Sequence, residues 1–223
     1  MSYYGWVMLL TIIGPLVLSF DKKVHFYTYY IPLFKAIIPI AVFFLIWDMF
    51  FTYHKIWGFT PDYLANIYLY NLPIEEVLFF FLVPYACIFI YEVLLAYFPQ
   101  LKLDVLSKYF SFIIIIIGVL LIFKGFGNWY TTSACFIGCF LVFYNGILNK
   151  KAWYPYFILS FLVALIPFLI VNGILTGAIT AHPIVWYSSQ HIVGMRIITI
   201  PIEDIYYNLC LLLPIVWIYE KIK

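Results

Sequence analysis

Two short stretches keep ionisable groups where an apolar chain has little reason to hold them. Residues 71–81 read NLPIEEVLFFF and residues 200–208 read IPIEDIYYN, so Glu75 and Glu76, and again Glu203 and Asp204, stand between a proline and an apolar run. Proline followed by acids is good helix-start chemistry, because proline has no N–H to satisfy there and carboxylates favour the positive end of the helix dipole. A single motif of this kind needs no further reading. Two of them at the edge of apolar spans, where ionisable groups are expensive and usually functional, point to a site. Residues i and i+1 of a helix point about 100° apart, so one carboxylate of each pair can face a shared cavity while its neighbour faces elsewhere. Two carboxyl groups close together in low dielectric cannot both ionise cheaply. One keeps its proton, which is the pattern of a general acid beside a general base.

Other polar groups stand near these motifs. Asp48 lies inside the apolar run FFLIWDMFFTYH and needs a partner or a role. Asn172, in IVNGILTG, falls roughly where the second half of the chain would repeat Asp48. Arg196 is the lone arginine, just ahead of the second motif; it can clamp a carboxylate with its planar fork or simply mark a loop. Phe79 follows the first motif, Tyr206 and Tyr207 the second, and aromatic faces stabilise cations. Carboxylic acid, apolar cavity and aromatic walls together suit the protonation of an alkene and the shielding of the resulting carbocation from water. His54, His182 and His191 have no ligand-like spacing and read as interfacial residues. Cys135 and Cys139 are four apart but have no His or acid nearby, so they read as small buried hydrophobes, and no metal site is expected.

The elements that must position these groups are membrane helices. Only 10% of the chain is charged, against roughly 25% in a soluble domain. Charge-poor runs over 3–20, 36–54, 77–101, 109–123, 125–149, 152–195 and 205–219 predict an all-α integral membrane protein of about seven transmembrane helices, the shortest being 109–123, with room for a re-entrant segment in 177–199. The first run lacks the basic start and cleavage site of a signal peptide and reads as a span. Nine lysines (22, 23, 35, 102, 108, 150, 151, 221 and 223) fall on one side against Lys55, Lys124 and Arg196 on the other. That bias puts the N-terminus outside and the C-terminus in the cytoplasm. A net charge of +2 gives no reason to expect a nucleic-acid partner.

The chain also repeats itself. At an offset of 128 residues, Pro73, Ile74, Glu75 and Glu76 fall on Pro201, Ile202, Glu203 and Asp204, and Ile90-Tyr91-Glu92 falls on Ile218-Tyr219-Glu220. This predicts a first three-helix repeat over 1–100, a linking helix over 101–128 and a second three-helix repeat over 129–223. An odd linker makes the repeats parallel, so both acidic motifs open helices on the same, non-cytoplasmic side.

The stretch from IWDMFFTYHKIWGFTPDYLANIYLYNLPIEEVLFFF to IFIYE, with VNGILTG, Pro183, Trp186-Tyr187 and GMRIITIPIEDIYYN in the second half, resembles the membrane-integral lycopene cyclases, here as a fused single chain. The resemblance covers nearly the whole sequence and implies a lycopene β-cyclase of carotenoid biosynthesis. Such an enzyme protonates the terminal double bond of lycopene, and attack by a nearby alkene and loss of a proton close a β-ionone ring without net redox. The products would be γ-carotene and then β-carotene. It carries the acid and base roles to Glu75, Glu76, Glu203 and Asp204, with Glu76 or Glu203 preferred as acid and Asp204 or Glu75 as base or partner. As partners it implies linear carotenoids, the lipid bilayer and other carotenoid-pathway enzymes. The glycines nowhere form G-x-G-x-x-G (after Gly125 and Gly127 the third position is Tyr130), so no flavin or NAD site and no cofactor are expected. The alternatives are a carrier with intramembrane carboxylates, a carotenoid hydratase and an ε-ring cyclase. A retinal-binding rhodopsin is disfavoured because 197–219 contains no lysine, and a membrane prenyltransferase because Asp48 and Asp62 are lone aspartates.

Overall fold

The structure, a computed structural model, describes residues 2–223. Seven helices follow one another: α1 (Tyr3–Leu18), α2 (Tyr30–Tyr53), α3 (Ile74–Tyr97), α4 (Asp104–Lys124), α5 (Trp129–Val142, carried on by a π-helical turn Phe143–Leu148), α6 (Tyr154–Leu175) and α7 (Glu203–Ile222). Six are long and apolar enough to cross a membrane, which defines an all-α, multi-pass membrane-type fold. With the π-helical turn counted into α5, the shortest helix is α1, at 16 residues, not the helix around 109–123. The latter extends to Asp104–Lys124, with Asp104 in the first turn and Lys124 in the last, matching the helix dipole. Pro15, Pro39, Pro84, Pro167 and Pro214 all lie inside helices. Neighbouring helices in a bundle can satisfy the backbone groups that such prolines free. The stretch 177–199 contains no helix; it is a loop of turns and short strands.

Six short strands lie in the loops: β1 (Trp57–Phe59), β2 (Tyr68–Leu69), β3 (Leu72–Pro73), β4 (Val185–Tyr187), β5 (Arg196–Ile197) and β6 (Ile200–Pro201). β2 and β3 form a hairpin just before α3, and β5 and β6 form its counterpart just before α7. The two hairpins repeat residue for residue at the 128-residue offset. Ile74 donates its N–H to the Ile67 carbonyl at 2.8 Å, and Ile202 donates to that of Met195 at 3.0 Å. Tyr70 and Ile198 hold φ of 57° and 60° at the corresponding turn positions, and Asn66 at 59° is matched by Gly194 at 81°. Positive φ on a bulky tyrosine or isoleucine is a genuine outlier, and it occurs twice in one place.

β1 and β4 join the halves. Trp57 pairs with Tyr187, Gly58 with Trp186 and Phe59 with Val185, so the strand pair maps onto itself at the same offset. Gly58 sits against the Trp186 ring so closely that an added Cβ would come within 2.3 Å of it. At the other end of the bundle the Tyr91 hydroxyl donates to Glu220 at 3.1 Å, and Tyr219 donates to Glu92 at 2.9 Å. These crossed pairs are again exchanged by the offset. A pseudo-twofold axis therefore runs along the bundle from Gly58 and Trp186 to this pair. The repeats are parallel. Around the axis α1 packs on α3 and α5 on α7, while α2 crosses to α7 and α3 to α6.

Candidate active site

Both acidic motifs open their helices at the same end of the bundle, and the first turn of each helix points its two carboxylates in different directions. Neither pair caps its own helix. Glu76 and Asp204 turn inward and line one narrow cavity of about 40 Å³, together with Asp48, Asn172, Phe79 and Tyr207. Glu75 and Glu203 are buried but do not line it. Glu75 accepts from the Ser2 hydroxyl and from the N–H of Ala65 at 2.7 Å. Glu203 accepts from the Thr131 hydroxyl at 2.6 Å and from the N–H of Val193 at 2.7 Å. Each thus ties the loop ten residues upstream, and each leaves its second oxygen without a protein partner.

The inward carboxyls are held by phenols. Tyr4, in the first turn of α1, donates to Glu76 at 2.6 Å; Tyr130, in the first turn of α5, donates to Asp204 at 2.6 Å. Asp204 also accepts from the Asn172 amide at 2.6 Å and from the Tyr187 hydroxyl at 3.0 Å. Asp48 on α2 accepts from the Tyr207 hydroxyl on α7 and lines the same cavity as Glu76. Two carboxyls in one desolvated pocket can share a proton more cheaply than both ionise, whereas the three donors on Asp204 favour its ionised form and leave one of its roughly four lone-pair sites open.

Aromatic rings close the cavity around these groups. Trp57 lies 5.0 Å from Tyr130, 5.7 Å from Tyr207 and 6.2 Å from Tyr187, and Tyr130 stacks on Tyr187 at 5.8 Å. A ring face stabilises a cation held within about 6 Å of its centre, more so where water is excluded.

Of the residues singled out from sequence, the structure brings together Asp48, Glu76, Phe79, Asn172, Asp204 and Tyr207. Four others sit elsewhere: Glu75 and Glu203, which hold the loops as described, and Tyr206 and Arg196. Tyr206 is buried and donates to the Ile114 carbonyl at 2.8 Å, fastening α7 to α4. Arg196 clamps no carboxylate: it is exposed and donates to the Thr199 carbonyl in the β5–β6 turn. Its fork serves the hairpin. Tyr4, Trp57, Tyr130 and Tyr187 line the same cavity and were not singled out as site residues from the sequence.

Fold and site define a membrane protein of two parallel helical repeats that meet around a buried carboxyl cluster walled by aromatic rings. A family model described as Lycopene cyclase matches residues 1–94 and 127–222, and the chain belongs to this family. It is accordingly an enzyme of the lycopene-cyclising type, with a carotenoid as its substrate. No curated protein and no solved structure matches the chain.

Proposed function

We propose that this chain is a lycopene β-cyclase that uses the Asp48–Glu76 pair as proton donor and Asp204 as base. Residues 1–100 and 129–223 form the two cyclase repeats and 101–128 the link between them, with the acids near the non-cytoplasmic face, the N-terminus outside and the C-terminus in the cytoplasm. The observation that supports this reading is the meeting of three carboxyl groups from α2, α3 and α7 in one pocket whose other walls are aromatic.

In this mechanism Glu76 gives its proton to the terminal double bond of the bound polyene, and the positive charge appears on the neighbouring tertiary carbon. The π-electrons of the nearby internal alkene form the new carbon–carbon bond and close the six-membered ring, moving the cation to a ring carbon. Asp204 removes a proton from the adjacent ring carbon, leaving the β-type double bond. One proton enters and one leaves, so the reaction is an isomerisation with no change of oxidation state. Tyr4 and Tyr207 orient the donor pair, Tyr130, Asn172 and Tyr187 orient the base, and Trp57 faces the cation. Glu75 and Glu203 position the loops that carry these rings.

The test is expression of the chain in a bacterium that accumulates lycopene, followed by pigment chromatography. γ-Carotene and β-carotene should appear. An ε-ringed product would move the lost proton to the other neighbouring carbon, a hydroxylated product would make water the trap for the cation, and unchanged lycopene with the protein present in the membrane would reject the reading.

A further inference from the structure

The acid pocket has a second cavity beside it. The two share Phe79, Phe168 and Asn172 as walls. The larger one, of about 370 Å³, is bounded by α1, α3 and α6. On α3 it extends from Phe79 to Ile90, about 16 Å along the helix at 1.5 Å per residue. No charged side chain lines it, and Leu10 and Ile170 on its wall are exposed on the outer surface of the bundle. Its size is that of a small-molecule site, and its chemistry suits hydrocarbon.

The pseudo-twofold axis relates this groove to the seam of α5, α7 and α2, where the side chains differ. Asn71 donates to the Met49 carbonyl and Thr199 to the Gly173 carbonyl. This pair of contacts sets α2 against α6 at an offset of 124 residues, the same offset that sets Asp48 against Asn172. In that register Trp47 stands where the open side has Val171, and Ile40 stands where it has Ala164. Trp47 stacks on Phe44 at 5.5 Å, and both rings lie against Tyr207, at 5.7 and 4.9 Å. The second route is filled with aromatic rings.

We infer that the polyene tail of a linear carotene lies in the groove bounded by α1, α3 and α6, entering sideways from the bilayer, so that one end of the molecule reaches the acids in each binding event. This rests on the cyclase reading above. The remainder of the tail projects past Leu10 and Ile170 into lipid. Closing the second ring then requires release of the monocyclic product and its return end for end, because Trp47, standing where the open side has Val171, blocks the other side.

The experiment uses the purified full chain in phosphatidylcholine vesicles containing isotopically labelled lycopene in excess over protein. Free monocyclic carotene should build up well beyond the protein concentration before bicyclic product appears, and unlabelled lycopene added part-way should dilute the label reaching the second ring. Val171→Trp, which copies the closed side into the open groove, should lower turnover at least tenfold. Ile166→Trp, on the exposed face of the same helix, should leave it unchanged. Bicyclic product formed without free monocyclic intermediate, or full turnover in folded Val171→Trp, overturns the inference alone. A wild-type chain that turns over no lycopene in the vesicles overturns the cyclase reading and the inference with it.

Discussion

The hydroxyl of Tyr207, on α7, donates to the carboxyl of Asp48, on α2, and so ties the second repeat to the acid cluster of the first. The residue that follows the acidic motif at the same distance in the first repeat is Phe79, which has no hydroxyl to offer. The two halves are therefore alike in backbone and unlike in chemistry: a carboxyl pair on one side, a single carboxyl with an amide on the other.

Tyr207→Phe should leave Asp48 without its phenol donor while keeping the ring against Trp57. Loss of one donor to a buried acceptor costs about 1–3 kcal/mol. The thermal midpoint in detergent should fall and turnover should drop, with the products unchanged. Unaltered stability and turnover would mean that this bond does not hold the acid pair.

Within each motif the two acids should separate by role. Glu76→Gln and Asp204→Asn should reduce turnover by roughly 10²–10⁴, the range expected for removal of a general acid or base. Glu75→Gln and Glu203→Gln should act mainly on stability, by about 1–3 kcal/mol, since their bonded oxygens hold the N–H groups of Ala65 and Val193. Equal loss of turnover in all four, at equal stability, would contradict this division.

Gly58→Ala should damage the crossing of β1 and β4. Its Cβ would meet the Trp186 ring at 2.3 Å, and overpacking of this kind costs about 1–3 kcal/mol. Trp57 and Tyr187 flank that position, so turnover should fall together with the unfolding midpoint. An unchanged midpoint would show that the ring moves aside freely.

At the other end of the bundle Asp21 accepts from the N–H of Lys23 at 2.8 Å and of Val24 at 3.0 Å, and from the Tyr97 hydroxyl. The Lys23 and Val24 bonds hold its carboxyl below the usual carboxylate range. A lowered folded-state value stabilises this corner above the ordinary carboxylate pKa, and that contribution is lost as pH falls through the folded value. Amide exchange of Lys23 and Val24, compared with other loop amides, should accelerate on acidification, and Asp21→Asn should remove the dependence.

The acidic motifs could be read from sequence because charge contrasts sharply with an apolar chain and because the pattern recurs at one offset. The inward choice of Glu76 and Asp204 could not. It depends on how α3 and α7 are rotated, which is set by the distant loops that Glu75 and Glu203 hold. Tyr4, Trp57, Tyr130 and Tyr187 were hidden for another reason: with 23% of the chain aromatic, one more ring carries no contrast. Tyr4 and Tyr130 are also two residues out of the 128-residue register. Arg196 misled because its rarity suggested a charge partner, whereas its position beside a strained hairpin turn gave it a backbone carbonyl instead.

The most direct measurement is a single-turnover cyclisation in D₂O, with purified protein in vesicles, equilibrated before contact with a smaller amount of lycopene, and the rings analysed by mass spectrometry. The mechanism predicts one deuterium gained per ring closed, no change in oxidation state, and ring formation slowed by roughly 10²–10⁴ with Glu76→Gln. Rings formed without deuterium, or formed at the wild-type rate by Glu76→Gln, would contradict proton delivery from the Asp48–Glu76 pair.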